Sequence, residues 1–361
     1  MLFDPRPKSS IEELFDREEE MKELEKLTKG PCPLILCLGI RRVGKTSLVK
    51  TFMNESGYPA IYVNASRLSE YNYSRTGLYR ILSEEFTRSR GKLAKLIERL
   101  KRIKGITVGG YGIELDWRES VSISSILEEL NDYAEDEGTL FLIVIDESQE
   151  LRFLRGYNRM DFRGIIAYSY DNLRRVKFIL TGSEVGLLYR FLELDKYESP
   201  LYGRVVEEIT VDRFSEEKSV EFLESGFREA GMEVPRRVLE EVVYKLDGIP
   251  GWLSFYGYEV LRTRKLDVDQ VVEKAVNLAR SELRKLVRTS NNYKYLLRAV
   301  AMGYKNWKMI KSFFEMQIGR KVDNKTMGRL LRNLVDASIL TKRDEEYYFL
   351  DPMYREAAKE L

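Results

Sequence analysis

Lys45 and Thr46 stand in a pattern that is typical of phosphate binding. The segment GIRRVGKT, residues 39–46, follows an apolar run that starts at Leu34, and a helix is predicted after it over 47–53. In this strand–loop–helix order, backbone amides can enclose a polyphosphate, Lys45 can neutralise its terminal groups and the Thr46 hydroxyl can ligate Mg²⁺. A glycine-containing turn that happens to precede a lysine is the alternative. The pattern predicts a nucleoside triphosphate site.

Two acids end a second apolar run. The segment TLFLIVIDESQE, residues 139–150, is typical of a strand buried on both faces of a parallel sheet, and it leads into Asp146 and Glu147. Ligands of such sheets bind at the carboxyl ends of the strands. There Asp146 could hold Mg²⁺, and Glu147 could orient or deprotonate the attacking water. Two solvated carboxylates that cap the next helix are the alternative, which the upstream phosphate loop disfavours.

Hydroxyl groups and an arginine extend this candidate site. The strand Phe178–Ser183 ends in hydroxyls, so Ser183 or Thr181 could reach the γ-phosphate or the lytic water. Capping of a following helix is the alternative, because serine and threonine are common N-caps. Arg204, in SPLYGR, precedes a further predicted strand and could stabilise transition-state charge, or it could be an ordinary surface arginine.

Composition excludes several classes of chemistry. The 361 residues contain no histidine, which rules out His-based metal sites, His general bases and Ser-His-Asp triads. The chain also contains only two cysteines, Cys32 and Cys37, so a single chain cannot build a structural zinc site. No apolar run approaches the roughly 18 residues of a membrane helix, and MLFDPRPKSS does not read as a secretion signal. A cytoplasmic protein without a membrane partner is expected.

The order of predicted elements indicates three domains. Strands alternate with helices over 1–212, which predicts an α/β fold with a parallel sheet covered by helices on both faces, and a hairpin is inserted near 105–117. Residues 213–287 read as a helical lid domain. Residues 288–361 contain three predicted helices and then a hairpin, the order of a winged helix-turn-helix.

Two helix starts have their own local signals. Asp16 followed by Glu19 predicts a capping box that opens a helix. The segment Gly248–Trp252 predicts a turn with Pro250 at the start of a helix.

The motifs FDREEEMKEL, GIRRVGKTSL, FLIVIDESQEL, FILTGSEVGLL, SPLYGR and DGIPGWL occur in this order. Together they resemble the archaeal ATPase family, within the STAND branch of AAA+-type P-loop ATPases, over roughly residues 10 to 260. A C-terminal winged helix is a usual companion in this family. The resemblance implies ATP or ADP and Mg²⁺ as cofactors. No arginine finger of the ring-forming ATPases is identified, so the resemblance does not extend to ring assembly.

The resemblance also implies roles for individual residues. Asp146 would lie beside the Mg²⁺ ion together with Thr46, and Glu147 would activate water. Ser183 would match the first sensor position, and Arg204 would contact the nucleotide from the lid side. The residues that would contact the nucleotide are Phe15, Asp16 and Arg17 at the adenine, then Gly39, Arg41, Arg42, Val43, Gly44, Lys45, Thr46 and Ser47 of the loop, and Pro250.

The C-terminal region is strongly basic. Residues 293–343 carry 12 lysines and arginines against 3 acids, whereas the rest of the chain is net negative. On the predicted helix 324–335, Lys325, Arg329 and Arg332 lie away from the apolar face, as in helices that enter a DNA major groove. The acidic tip 344–346 opposes DNA binding. Contact with a protein or with the rest of the chain, and a purely structural role, remain open.

These observations favour an ATP-binding, slowly hydrolysing molecular switch that couples nucleotide state to domain arrangement and to an unidentified protein partner. The alternative is an ATP-regulated DNA-binding protein, origin-recognition-like or transcriptional, that uses the basic winged helix.

Overall fold

A computed structural model describes residues 1–89, 91, 93–109, 112–115, 122–154 and 161–361. The tip of the predicted hairpin and Trp117 lie outside the described residues. The strands are β1 Leu34–Leu38, β2 Ala60–Asn64, β3 Ile106–Gly109, β4 Gly112–Leu115, β5 Phe141–Asp146, β6 Val176–Gly182, β7 Glu207–Thr210, β8 Leu340–Arg343 and β9 Glu346–Phe349.

Helices make up most of the remaining secondary structure. They are α1 Glu18–Lys29, α2 Lys45–Glu55, α3 Arg75–Arg88, α4 Ala94–Leu100, α5 Ile123–Asp136, α6 Phe162–Asn172, α7 Val185–Leu192, α8 Glu216–Glu229, α9 Arg236–Leu246, α10 Pro250–Thr263, α11 Val268–Thr289, α12 Asn292–Ala301, α13 Trp307–Ile318, α14 Asn324–Asp336 and α15 Pro352–Lys359. Within the described ranges, none of these helices has both the length and the apolar character needed to span a membrane.

Five strands form a parallel sheet in the order β2-β5-β6-β1-β7. Every residue of β1, β5 and β6 is buried, which explains their unbroken apolar runs. The predicted α/β fold is confirmed. Because the strands are parallel, the loop after β1, the acid at the end of β5 and the serine after β6 all lie at one edge of the sheet. The sheet therefore gathers the predicted chemical groups from three distant parts of the chain.

The helix at the start of the chain differs from the prediction. Helix α1 begins at Glu18, its N-cap is Arg17 without a side-chain cap bond, and Asp16 has a left-handed φ of 52°. The capping box of Asp16 and Glu19 was therefore wrong. The reason lies in long-range contacts, since the Arg17 guanidinium is buried against the core and fixes the local backbone.

Two helices lay outside the main sequence prediction. Helix α7 begins at Val185, where a helix after Ser183 was only an alternative, and α15, which had no counterpart, follows the winged hairpin. The start of α15 does carry a local signal, because the Asp351 side chain accepts a hydrogen bond from the Met353 amide and Pro352 is the first helical residue. Helix α15 packs against α11 and α12, so it closes the C-terminal part of the chain onto itself.

The helical part of the chain has a core of its own. Apolar side chains from α8 to α15 and from the β8–β9 hairpin form one continuous cluster. The predicted lid and the predicted winged helix share this cluster, so the two regions pack as one body. Helices α12, α13 and α14 followed by β8 and β9 have the expected order of a winged helix-turn-helix.

Phe3 ties the first residues to this helical body. Its ring is fully buried, and a Cβ atom added at Gly226 of α8 or Gly257 of α10 would lie only 2.3 or 2.4 Å from it. The two glycines therefore form a slot that only a residue without a side chain can provide. Anchored there, the first residues of the chain run along the cleft described next.

Candidate functional site

The loop between β1 and α2 depends on two glycines. Gly39 has a φ of +153°, and a Cβ atom there would lie 2.3 Å from the carbonyl oxygen of Val211. Gly44 has a φ of +100° and is the N-cap of α2. Helix α2 begins at Lys45, two residues before the predicted start, so its free amides and the positive end of its dipole open onto the loop.

A cleft of about 430 Å³ lies over this loop. Polar groups of Lys45, Thr46, Ser47, Glu147 and Ser183 line one part of it. Another part is apolar and aromatic, and its residues are Phe15, Phe214, Phe222, Phe255 and Leu278. A concave site that combines an apolar surface with a few convergent polar groups suits a ligand with a flat base and a charged tail.

Asp146 is held by hydroxyl groups from three elements. Its Oδ2 accepts hydrogen bonds from Thr46 Oγ1 at 2.9 Å and from the Tyr62 hydroxyl at 2.6 Å, and its Oδ1 accepts one from Thr181. The Asp146 residue is only 3% exposed, so these partners replace water around a buried carboxylate. Burial is the main cause of a raised pKa at Tyr62, and the charge of Asp146 is the next. The phenol therefore keeps its proton and can donate it in the hydrogen bond.

This arrangement fits a magnesium ion. The Thr46 hydroxyl and the Asp146 carboxylate are hard oxygen donors in mutual contact beside the loop. In the described ranges, no group of three or more histidine, cysteine, aspartate or glutamate residues forms a metal cage. Mg²⁺ is usually held by one or two protein oxygens together with substrate phosphates, and the oxygens of Thr46 and Asp146 are of that kind.

Glu147 has a strained backbone and a restrained carboxylate. Its φ and ψ are 53° and 46°, a left-handed conformation that is rare for residues other than glycine and is often found at active sites. Its amide donates to Thr181 Oγ1 at 3.1 Å. Its Oε2 accepts hydrogen bonds from Gln149 Nε2 and Ser183 Oγ, each at 2.6 Å.

The two predicted hydroxyls have different partners. Thr181 is fully buried and holds Asp146, whereas Ser183 lines the cleft and contacts Glu147. The N-cap of α7 is Glu184, without a side-chain cap bond, so the Ser183 side chain does not act as a helix cap.

Lys45 is buried within its own loop. Its ammonium group donates to the carbonyl oxygens of Gly39 and Ile40, each at 2.7 Å. Burial lowers its pKa, and the negative charges of Glu147 and Asp146 oppose that effect. An incoming phosphate would compete with two carbonyl oxygens for this cation.

The two loop arginines contact acids outside the loop. Arg42 forms an ion pair with Glu282 of α11 and lies 4.1 Å from the centre of the Trp252 ring. Arg41 lies 3.0 Å from a carboxylate oxygen of Glu184 and 3.7 Å from one of Glu282. Sequence reasoning missed Glu282, because an acid some 240 residues away carries no local signal.

Glu282 also joins the C-terminal helix to the loop. The hydroxyl of Tyr354, on α15, donates to Glu282 Oε2. Burial favours a higher pKa for Glu282, but the charge and hydrogen bonds of Arg42 and the Tyr354 bond outweigh it and hold that pKa below its ordinary value. The carboxylate is therefore ionised at neutral pH.

The residues predicted at the adenine lie in different surroundings. Phe15 lines the cleft and packs edge-on against Phe214 and Phe222. Arg17 donates to the carbonyl oxygens of Val43 at 3.1 Å and Asp212 at 2.7 Å, so it braces the loop. The Asp16 side chain does not line this cleft but points toward Lys218, at 3.9 Å.

Pro250 begins α10, as predicted, and lines the cleft. The next amide, of Gly251, donates to the Arg42 carbonyl oxygen at 2.8 Å, so the start of α10 lies directly on the loop.

Arg204 lies away from the cleft. Its guanidinium contacts Asp171 at 2.5 Å and the Pro200 carbonyl oxygen. It precedes β7, whose Glu207 pairs with Ile35 near the start of β1, whereas the phosphate loop follows the end of β1. Arg204 therefore sits at the opposite edge of the sheet. This corrects the expectation that it reaches the nucleotide of its own chain.

Comparisons with known proteins agree with this architecture. Residues 14–255 match the model of an ATPase domain found predominantly in Archaea, and residues 288–350 match that of the MCM protein C-terminal winged helix-turn-helix domain. A search of curated proteins gives no match.

Two solved structures are informative. The Walker-type ATPase PABY2304 of Pyrococcus abyssi is 38% identical, with a TM-score of 0.88 over 99% of this chain and 100% of that one. The Aeropyrum pernix ORC2 protein in its ADP form shares the fold at 15% identity, with a TM-score of 0.54 over 99% of this chain and 96% of that one. The chain therefore belongs to the family of ATPase domains found predominantly in Archaea, here followed by a winged helix domain.

Proposed function

We propose that this chain is a Mg²⁺-dependent ATPase that acts as a molecular switch. The observation that carries the proposal is the meeting of the glycine loop, the Thr46–Asp146 pair and Glu147 at one edge of the sheet. The relative in Pyrococcus abyssi is described as a Walker-type ATPase, which supports the same reading.

The residues of the site have distinct roles in this proposal. Loop amides and Lys45 bind the β- and γ-phosphates, while Thr46 and Asp146 hold Mg²⁺, which neutralises phosphate charge when it is bound. Glu147 takes the proton of a water whose oxygen bonds to the γ-phosphorus. The bond from that phosphorus to the bridging oxygen then breaks, leaving ADP and phosphate.

The switch is supported by the link between the loop and the helical body. Arg41 and Arg42 contact Glu282 on α11, and Glu282 also binds Tyr354 on α15. A movement of the loop would therefore displace α11 and α15. We propose domain limits of 1–212, 213–287 and 288–361. Because the last two share one core, they would move together against the first and alter the surface offered to a protein partner.

A second candidate function is ATP-regulated DNA binding. Lys325, Arg329 and Arg332 are exposed along α14, and the region matches a winged helix-turn-helix model. A basic, exposed helix of this kind suits a DNA groove. The acidic wing tip, Asp344 and Glu345, would face the same phosphates and weakens this candidate.

Replacing Lys45 by alanine should weaken ATP binding at least ~100-fold, because hydrogen bonds to charged groups contribute roughly 1.5–3 kcal/mol each. Isothermal titration calorimetry with MgATP measures the dissociation constant. Lys26→Ala, at an exposed lysine of α1, is the control and should bind like the parent chain. Unchanged affinity in Lys45→Ala would remove the loop from the site.

Replacing Glu147 by glutamine should leave ATP affinity within a few-fold and lower kcat by about 10²–10⁴-fold, the usual contribution of a general base. Phosphate release from MgATP is the measurement. The nearby Glu150→Gln, whose carboxylate accepts a bond from Tyr73, serves as the control. Unaltered turnover in Glu147→Gln would show that another group takes the proton.

Replacing Glu282 by glutamine should uncouple the loop from the helical body. Both native cysteines are buried, so spin labels can be placed through Lys26→Cys and Met316→Cys at exposed positions. In the parent, the label distance should differ between ADP and ATP, and Glu282→Gln should lose most of that difference. Glu273→Gln, exposed on the same helix, should retain it. Equal parental distances in both nucleotides would contradict the switch.

The DNA-binding candidate predicts salt-sensitive duplex binding that Arg329→Glu with Arg332→Glu removes. Each lost phosphate contact should also reduce the slope of log K against log salt by about 1. Fluorescence anisotropy with a labelled duplex, at several salt concentrations and with each nucleotide, is the measurement. No binding by the parent chain at low salt would dismiss this candidate.

A further inference from the structure

Four arginines of the described ranges line the cleft over the phosphate loop, and they are Arg6, Arg17, Arg41 and Arg42. Arginine is the side chain that most often stabilises the transition state of phosphoryl transfer, because its charge and directed donors meet the charge on the phosphoryl oxygens. Arg204 lies at the opposite edge of the sheet, so it does not supply this group to its own chain.

Three of the four cleft arginines hold the structure together. Arg17 is only 6% exposed and donates to main-chain carbonyl oxygens, one of them in the loop. Arg42 stacks on the Trp252 ring. Arg6 donates to both carboxylate oxygens of Asp4, so its planar group is filled by a neighbour two residues away. These contacts account for the three guanidinium groups.

Arg41 differs from them because its contacts are single. One of its nitrogens lies 3.0 Å from Glu184 Oε1, and another lies 3.7 Å from Glu282 Oε2. A guanidinium carries five N–H donors, so these contacts leave others for a phosphoryl oxygen. The Arg41 side chain is 44% exposed and lines the cleft. It is therefore held in place while part of it faces the ligand space.

The Arg41 guanidinium lies beside the proposed chemistry. Its partner Glu184 directly follows Ser183, whose hydroxyl lies 2.6 Å from Glu147 Oε2. Burial opposes ionisation of Arg41, yet its pKa is raised, because acidic groups around it act in the other direction and Glu147 is among them. Burial lowers the pKa of Lys45, and the charge of Arg41 adds to that effect. Arg41 thus acts on both the proposed base and the loop lysine.

A cation in this place suits the charge that hydrolysis creates. In the transition state, negative charge spreads over the three equatorial oxygens of the γ-phosphoryl group. A fixed donor that binds these oxygens more strongly than it binds ATP lowers the barrier, because only such a difference accelerates the chemical step. The loop position of Arg41, four residues before Lys45, brings its side chain to the end of the polyphosphate.

We propose that Arg41 is a catalytic residue that binds an equatorial oxygen of the γ-phosphoryl group and stabilises the charge of the transition state. The proposal rests on the proposed ATPase function and adds one residue to its chemistry. Glu184 and Glu282 hold the guanidinium in position before the reaction. Arg41 forms no covalent bond and keeps its protons, since Glu147 takes the proton of the attacking water.

The first test removes the charge of Arg41 in the full-length chain, with MgATP as substrate. In Arg41→Gln the side-chain amide can still donate to Glu184. We expect kcat to fall at least about 100-fold, as for the loss of one donor to a transition-state oxyanion, while the ATP dissociation constant changes less than about 5-fold. Arg236→Gln, at an exposed arginine that pairs with Glu240 on α9, is the control and should match the parent. A parental kcat in Arg41→Gln would overturn the proposal.

The second test uses MgADP with aluminium fluoride, which imitates the phosphoryl group in the transition state. Arg41→Gln should bind this complex at least about 100-fold more weakly than the parent, whereas its affinity for MgADP alone should stay within about 5-fold. Isothermal titration calorimetry measures both affinities. A structural role would weaken both alike, so equal losses would contradict the proposal. Arg41→Ala should give the same pattern, which keeps the test valid if one variant does not fold.

A comparison with Glu282→Gln separates this chemistry from the link to the helical body. If Arg41 acted only through its contact with Glu282, the two variants would have the same kcat. We expect kcat in Arg41→Gln to be at least about 10-fold below that of Glu282→Gln, and equal values would refute the proposal. A parent chain that neither binds nor hydrolyses MgATP would refute the proposed function itself. An active parent with equally active Arg41 variants would contradict this inference alone.

Discussion

The buried carboxylate of Asp146 is the constraint on which the site depends. A charge that is only 3% exposed must be surrounded by donors, and three hydroxyls supply them from α2, β2 and β6. Thr46 and Asp146 are 100 residues apart, yet the parallel sheet brings the ends of their elements together. Thr181 serves twice, because it holds Asp146 and also accepts the amide of Glu147. One hydroxyl therefore links the acid proposed to hold Mg²⁺ with the proposed base.

The phosphate loop is held from two sides by guanidinium groups. On the side of the sheet, Arg17 binds the Val43 carbonyl oxygen and is almost fully buried. On the side of the helical body, Arg42 binds Glu282 and stacks on Trp252. Arginine suits both positions, since its planar group can stack on a ring and make several directed hydrogen bonds at once. The first contact fixes the loop to the core, and the second joins the loop to the helical body.

Sequence reasoning succeeded where a local pattern determined the structure. The apolar runs of β1 and β5 and the glycine loop predicted the fold and the residues that meet at the sheet edge. It failed where a distant partner decided the outcome. The capping box predicted at Asp16 does not form, because the Arg17 guanidinium is buried and binds the Val43 carbonyl oxygen. Glu282 was not predicted, because no local sequence pattern marks it. Arg204 was misplaced, because a residue that precedes a strand of a parallel sheet lies at the edge opposite the loops that follow the strands.

The two links between the helical body and the nucleotide core differ in strength. The Arg190–Asp336 pair has one partner 43% exposed, and exposed ion pairs contribute only about 0–1 kcal/mol. Arg42 and Glu282 are 21% and 25% exposed, and the pair is reinforced by Trp252 and Tyr354. The contact of Arg190 with Asp336 should therefore open first. Because α11, α14 and α15 share one core, α14 can leave α7 while α11 and α15 remain on the phosphate loop only if the helical body pivots about the loop contact.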